Sequence, residues 1–180
     1  MDLVEGKSLQ DLVSVSGIPL DERIAILWVK QVLRALDYLH HRIPPVVHLE
    51  VFPYNMLVTQ QGHCVLINFS LARELSPGPT AGDRGGVRGI VPGYSPPEQY
   101  GTFVDQRSDI YSIGATLYYI LTGIVPLESI ERLTGKQMTL PRAITDRISL
   151  QTERVILRAM ALARNDRFQS AQEMIDALQD

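Results

Sequence analysis

Eight consecutive residues, His48-Leu49-Glu50-Val51-Phe52-Pro53-Tyr54-Asn55, put an imidazole, a carboxylate and an amide into one short segment. Asn68-Phe69-Ser70 adds a second amide eighteen positions after Glu50. A carboxylate so placed can take a proton from a reacting hydroxyl, and amide oxygens can face a hard cation, though without the negative charge such ions favour. The plainer alternative is that Glu50 is a solvated loop carboxylate, with Asn55 and Asn68 hydrogen-bonding the loop backbone. The other titratable groups say less. His40, His41, His48 and His63 have no metal-ligand spacing, and the His40-His41 pair at a helix end reads as dipole-compatible surface. Cys64, in Cys64-Val65-Leu66-Ile67, reads as a buried strand thiol rather than a reactive one.

The elements that must carry these residues follow from periodicity. A short helix is predicted over Leu9–Val15, broken by Gly17-Ile18-Pro19. The clearest helix runs from Asp21 to about His41, where Trp28, Val29, Val32, Leu36 and Leu39 recur at helical spacing and Pro44-Pro45 follows. Val46-Val47 and Met56–Thr59 read as short strands around the polar segment, with Cys64–Ile67 returning after the Gln61-Gly62 turn. Residues 1–6 read as an apolar piece entering a turn. Ser76 to Gly93 holds six glycines and three prolines in eighteen residues, which predicts a mobile loop. Further helices are predicted at 107–122, 149–162 and 170–179, the last with Ser170 and Glu173 spaced for a capping box.

Whole-chain properties narrow the class. With 180 residues, 45% hydrophobic and 21% charged, the chain can bury one domain-sized core. A net charge of −3 gives no footprint for nucleic acid or an anionic membrane. A single cysteine can form no internal disulfide, which fits a reducing, cytoplasmic setting. The acidic start lacks the basic-then-apolar pattern of a signal peptide. Ile110 to Leu127 carries no charge over eighteen residues, at the lower edge for a membrane span. Its tyrosines, its threonines and the stop at Gly123 favour a central core helix instead.

The His48–Asn55 and Asn68–Ser70 segments together resemble the catalytic loop and metal-binding turn of a protein kinase, H-R-D-L-K-P-x-N followed by D-F-G. Gly93-Tyr-Ser-Pro-Pro-Glu-Gln99 resembles the end of a kinase activation segment, Arg107-Ser-Asp109-Ile-Tyr-Ser-Ile-Gly114 the helix that follows, and Arg164–Ser170 the late motif whose arginine, here Arg167, pairs with the glutamate, here Glu98. The wording is similar to bacterial Ser/Thr kinases of eukaryotic type. The resemblance implies an α+β, mostly helical fold, a kinase C-lobe without the N-terminal β lobe. Residues 1–7 would be the hinge, 46–59 the catalytic loop region, 68–98 the activation segment and 105–180 the helical subdomain. In the family a preceding lobe carries the glycine-rich loop and the phosphate-binding lysine. No G-x-G-x-x-G string occurs in this chain, so a truncated gene, a misplaced start or a fragment is expected.

The substitutions within that frame carry the functional expectation. The resemblance assigns Glu50 to the base position, one methylene too long, and a misplacement of ~1 Å can cost ~100-fold in rate. It assigns Phe52 to a lost lysine, Val91 to a lost threonine, and Asn55 and Asn68 to the metal positions, the latter without its carboxylate. Leu49 stands where an arginine would clamp a phosphate, which makes Ser76 and Thr80 poor phosphosites. Val4 and Leu57 fall at the adenine side. His48, Phe69, Glu98, Asp109 and Arg167 match structural positions. ATP and Mg²⁺ are implied by resemblance alone, with neither bound tightly. The expectation is an inactive pseudokinase-like lobe. Two alternatives stand beside it: a Ser/Thr kinase whose N-lobe lies outside these residues, and a protein-interaction module using the surface over Leu57. The expected partner is a protein or the N-lobe itself, with no nucleic acid and no membrane span.

Overall fold

Asp21 opens the longest helix of the computed structural model, which describes residues 5–75, 89–101 and 103–178. Its side chain accepts from the Arg23 and Ile24 amides, satisfying donors that the first turn of a helix leaves unpaired. Helix α2 (Glu22–His40) then buries Ala25, Val29, Val32, Leu33, Leu36 and His40 along one face. Each fully buried Val or Leu of such a stripe contributes about 1.5–3 kcal/mol. Before it come β1 (Gly6–Ser8) and α1 (Leu9–Ser16), the latter capped by Ser8 and stopped at Gly17. After it come β2 (Val46–Val47), a 3₁₀ turn at Pro53–Asn55, β3 (Met56–Thr59), β4 (Cys64–Leu66) and β5 (Arg73–Glu74).

The strands form two small antiparallel sheets, β1-β3-β4 and β2-β5. In the first, Ser8 pairs with Leu57 and Met56 with Leu66. Together they hold the chain on either side of His48–Asn55. Strand β1 corrects the expected turn near residue 6. Gly6-Lys7-Ser8 has little intrinsic strand preference and becomes a strand because β3 offers an unpaired edge.

Helix α3 (Gln106–Thr122) is the centre of the molecule, with every residue from Ser108 to Thr122 buried. It packs against α2 and α6 (Leu150–Ala159), while α7 (Ala171–Ala177) packs on α2. Two short helices, α4 (Ser129–Leu133) and α5 (Pro141–Ile144), complete the fold. The uncharged stretch is therefore a core helix, and among the described residues no helix is long and apolar enough to cross a membrane. Its start is a capping box that the sequence reading missed: Asp105 accepts from the helix amides and Ser108 answers to the Asp105 amide. Gly123 ends it with φ +74°. At Gly114 the α3 and α6 backbones come so close that an added Cβ would lie 2.6 Å from the Ala159 Cβ.

At α7 the capping expectation holds by half. Ser170 accepts from the Glu173 amide. The Glu173 carboxylate instead takes the Gln169 amide at 2.7 Å and bonds Arg158.

Candidate functional site

The polar segment is hung from α3. Asp109, fully buried, accepts from the His48 amide at 2.9 Å and the Leu49 amide at 2.8 Å. It also meets the His40 Nε2 at 2.9 Å. Thus His40 is a buried anchor and not surface, which corrects the expectation for the His40-His41 pair; His41 alone is exposed. The physical reason is position: His40 follows Leu36 by four residues on the buried face of α2. That spacing was available in the sequence and was overridden by the residue type.

Two residues near this anchor take backbone conformations unusual for side chains other than glycine, Leu49 at φ +66° and Asn68 at φ +64°. Asparagine tolerates the left-handed region well, whereas leucine does not. The Leu49 conformation is held by the Asp109 bond to its amide and by Gln99, whose Nε2 donates to the Leu49 carbonyl at 3.1 Å.

Glu50, Asn55 and Asn68 are placed differently from one another. The Asn55 side chain is buried and donates to the Glu50 carbonyl at 2.9 Å, bracing the loop. The Ile67 amide donates to the Asn55 carbonyl, joining the loop to the strand before Asn68. Glu50 is half-buried, and the Ser70 hydroxyl donates to its Oε2 at 2.6 Å. Phe69 lies edge-on to His48 with ring centres 4.7 Å apart, its ring otherwise half exposed. Burial pushes the His48 imidazole below the usual histidine range, with the Asp109 and Glu50 charges pulling the other way. Its Nδ1 accepts from the Glu50 amide.

Phe52 and Val91, the positions matched to a lost lysine and threonine, are half-buried apolar residues packed against the core. The Phe52 ring lies 6.2 Å from that of Tyr94. Leu57 sits on β3 opposite Ser8, and Val4 lies outside the described residues, as do Ser76, Thr80 and the Gly-rich stretch through residue 88. Cys64 is buried on β4, where burial pushes its thiol up to about 12.

These donors do not fit a tightly held divalent cation. Hard cations of this type are held chiefly by carboxylate oxygens, with neutral carbonyls as supplements; here the two matched positions offer only neutral amides, Asn55 donating its Nδ2 to the loop and leaving its Oδ1 as an uncharged oxygen. Among the described residues no group of three or more His, Cys, Asp or Glu could hold a metal.

The second anchor is the Glu98–Arg167 pair. Arg167, fully buried, forks onto Glu98 with Nη1–Oε1 at 2.6 Å and Nη2–Oε2 at 3.0 Å. Its three remaining N–H groups donate to the Ala161, Arg107 and Leu162 carbonyls, so all five guanidinium donors are used. Ser108 on α3 donates to Glu98 as well. This ties residues 89–101 to the helical core. Gly93, at φ +84°, allows that segment to approach the following loop; a Cβ there would lie 2.8 Å from the Pro126 carbonyl oxygen.

Gln99 and Ser70 are the contacts that sequence reasoning passed over. Neither residue type signals its role, because each acts through a partner distant in sequence.

Comparison with known proteins bears on the family and the fold. Residues 1–178 match the protein kinase domain family. A probable serine/threonine-protein kinase of Clostridium perfringens, CPE1738, is 31% identical over 99% of this chain and 26% of its own length. The serine/threonine-protein kinase PknB of Mycobacterium leprae is 30% identical over 97% of this chain and 28% of its own. The chain therefore spans about a quarter of the length of these relatives. The crystal structure of the Mycobacterium tuberculosis PknI kinase domain superimposes with a TM-score of 0.75 and 26% identity, covering 99% of this chain and 63% of that one. By its matched residues and its fold, the chain belongs to the protein kinase family.

Proposed function

We propose that residues 1–180 form the helical lobe of a Ser/Thr-type protein kinase domain that keeps the family's framework and has lost phosphate transfer. The hinge would be residues 1–7, the catalytic loop region 46–59, the activation segment 68–98 and the helical subdomain 105–180. The single observation that carries the reading is the contrast between anchors and ligands. Asp109, His48, Glu98 and Arg167 make the buried bonds that hold the loops. By contrast, Asn68 and Phe52 put a neutral amide and an apolar ring where transfer needs charge, and Val91 puts an apolar side chain where the family has a threonine.

The nucleotide-facing surface around Leu57 would be completed by a second lobe or a protein partner. The intact mass of the native polypeptide from its source cells tests that organisation. Magnesium-dependent heat of ATP binding tests whether nucleotide recognition remains: none is expected, and a clear heat lost on chelation would favour retained recognition. A second reading, residual Ser/Thr kinase activity, is favoured by Glu50, which keeps a carboxylate at the base position beside Ser70. Phosphate transfer abolished by Glu50→Gln would establish it.

A further inference from the structure

Leu49, immediately before Glu50, is a leucine at φ +66°. A conformation so costly for a branched side chain persists where surrounding bonds fix it. Its amide is fixed by Asp109 from α3. Its carbonyl is fixed by Gln99, which is 4% exposed and sits in the 3₁₀ turn Pro97–Tyr100. The same Gln99 Nε2 donates a second bond, at 2.9 Å, to the Gly89 carbonyl. Both neighbours are acceptors, so the amide must present its NH₂ group to them. Among the described residues, no other side chain hydrogen-bonds both the Glu50 loop and the segment at 89–95.

Gly89 is also the segment's point of approach to Glu50: a Cβ built there lies 3.7 Å from Glu50 Oε1. On the other side of the turn, Glu98 is locked to Arg167. Two adjacent residues thus face opposite ways, one joined to the helical core and one to the loops.

We propose that Gln99 is a positioning residue, a neutral clamp that sets the 89–95 segment against the Glu50 loop. Leu49 carries no charge, so the link involves no ion pair and needs no added phosphate. The assignment stands whether or not the protein transfers phosphate, because it concerns where the two loops sit.

Amide hydrogen exchange tests it on the full chain. The Val91 amide is held by Ser95 Oγ, and the Tyr94 and Ser95 amides by the Val91 carbonyl, so their protection reports the segment's position. Gln99→Met keeps the volume and removes both donors. It is expected to raise exchange at these three amides by about tenfold or more, the loss of one to two hydrogen bonds, while α2 and α3 amides keep their protection. Gln99→Glu should do the same at pH 7.5. Protection should partly return at pH 5 and below, where a protonated carboxyl can donate one bond again. Unchanged exchange at all three amides in both variants would overturn the proposal. So would a loss spread equally through α2 and α3, which would make Gln99 a general stability contact.

Discussion

The framework around α3 and the face presented by Glu50, Phe52 and Asn68 lie a few residues apart, yet they obey different physics. On the framework side, each charge is buried and paired. Asp109 meets two backbone amides and an imidazole, and Arg167 spends all five donors. On the face, the matched positions are neutral or apolar, and Glu50 accepts a hydrogen bond from the Ser70 hydroxyl. Buried charges that lose a partner unfold a protein, whereas ligands at an open face can be lost at little cost to the fold. On the proposed reading, the family architecture outlasts its chemistry.

The comparison can be broken most forcefully at Arg167. Arg167→Met leaves Glu98 beside three orphaned carbonyls, and the expected loss is about 3–5 kcal/mol, measured by urea unfolding. Asp109→Asn keeps the shape but turns an amide NH₂ toward donors; a loss of about 1.5–3 kcal/mol is expected, with increased exchange at His48 and Leu49. Gly114→Ala should cost about 1–3 kcal/mol through overpacking against Ala159. On the face, Asn68→Asp and Glu50→Gln should change stability by no more than about 0.5 kcal/mol. A large loss in either would erase the distinction between the two regions.

The smallest effect is a pH slope. Burial lowers the proton affinity of His48 in the folded state, so protonation favours the unfolded chain. The His48 contribution is full above about pH 6.5 and declines as pH falls below it. Unfolding measured between pH 7.5 and 5.5 should show stability falling with acid, and His48→Gln should flatten that slope.

Much of the fold was legible because its elements advertise themselves. The periodicity of α2, the uncharged run of α3 and the Gln61-Gly62 turn each act within one segment, and the structure places them as expected. Glu98 and Arg167 were legible through motif order, and the structure brings them together across sixty-nine positions. Strand β1 was not, because its partner strand and not its own residues makes it a strand. His40 was misplaced by its polar type despite a buried spacing, and Gln99 gave no signal because its acceptors are backbone carbonyls fifty and ten positions away. Residue type reveals chemistry well, and reveals poorly what a side chain does for a distant backbone.

The most direct test of the central claim is transfer of labelled γ-phosphate from magnesium ATP to a generic protein substrate, using the full native polypeptide beside its Glu50→Gln variant. The account predicts no transfer above background and no difference between the two. Transfer that Glu50→Gln abolishes would contradict it and restore Glu50 as a working base.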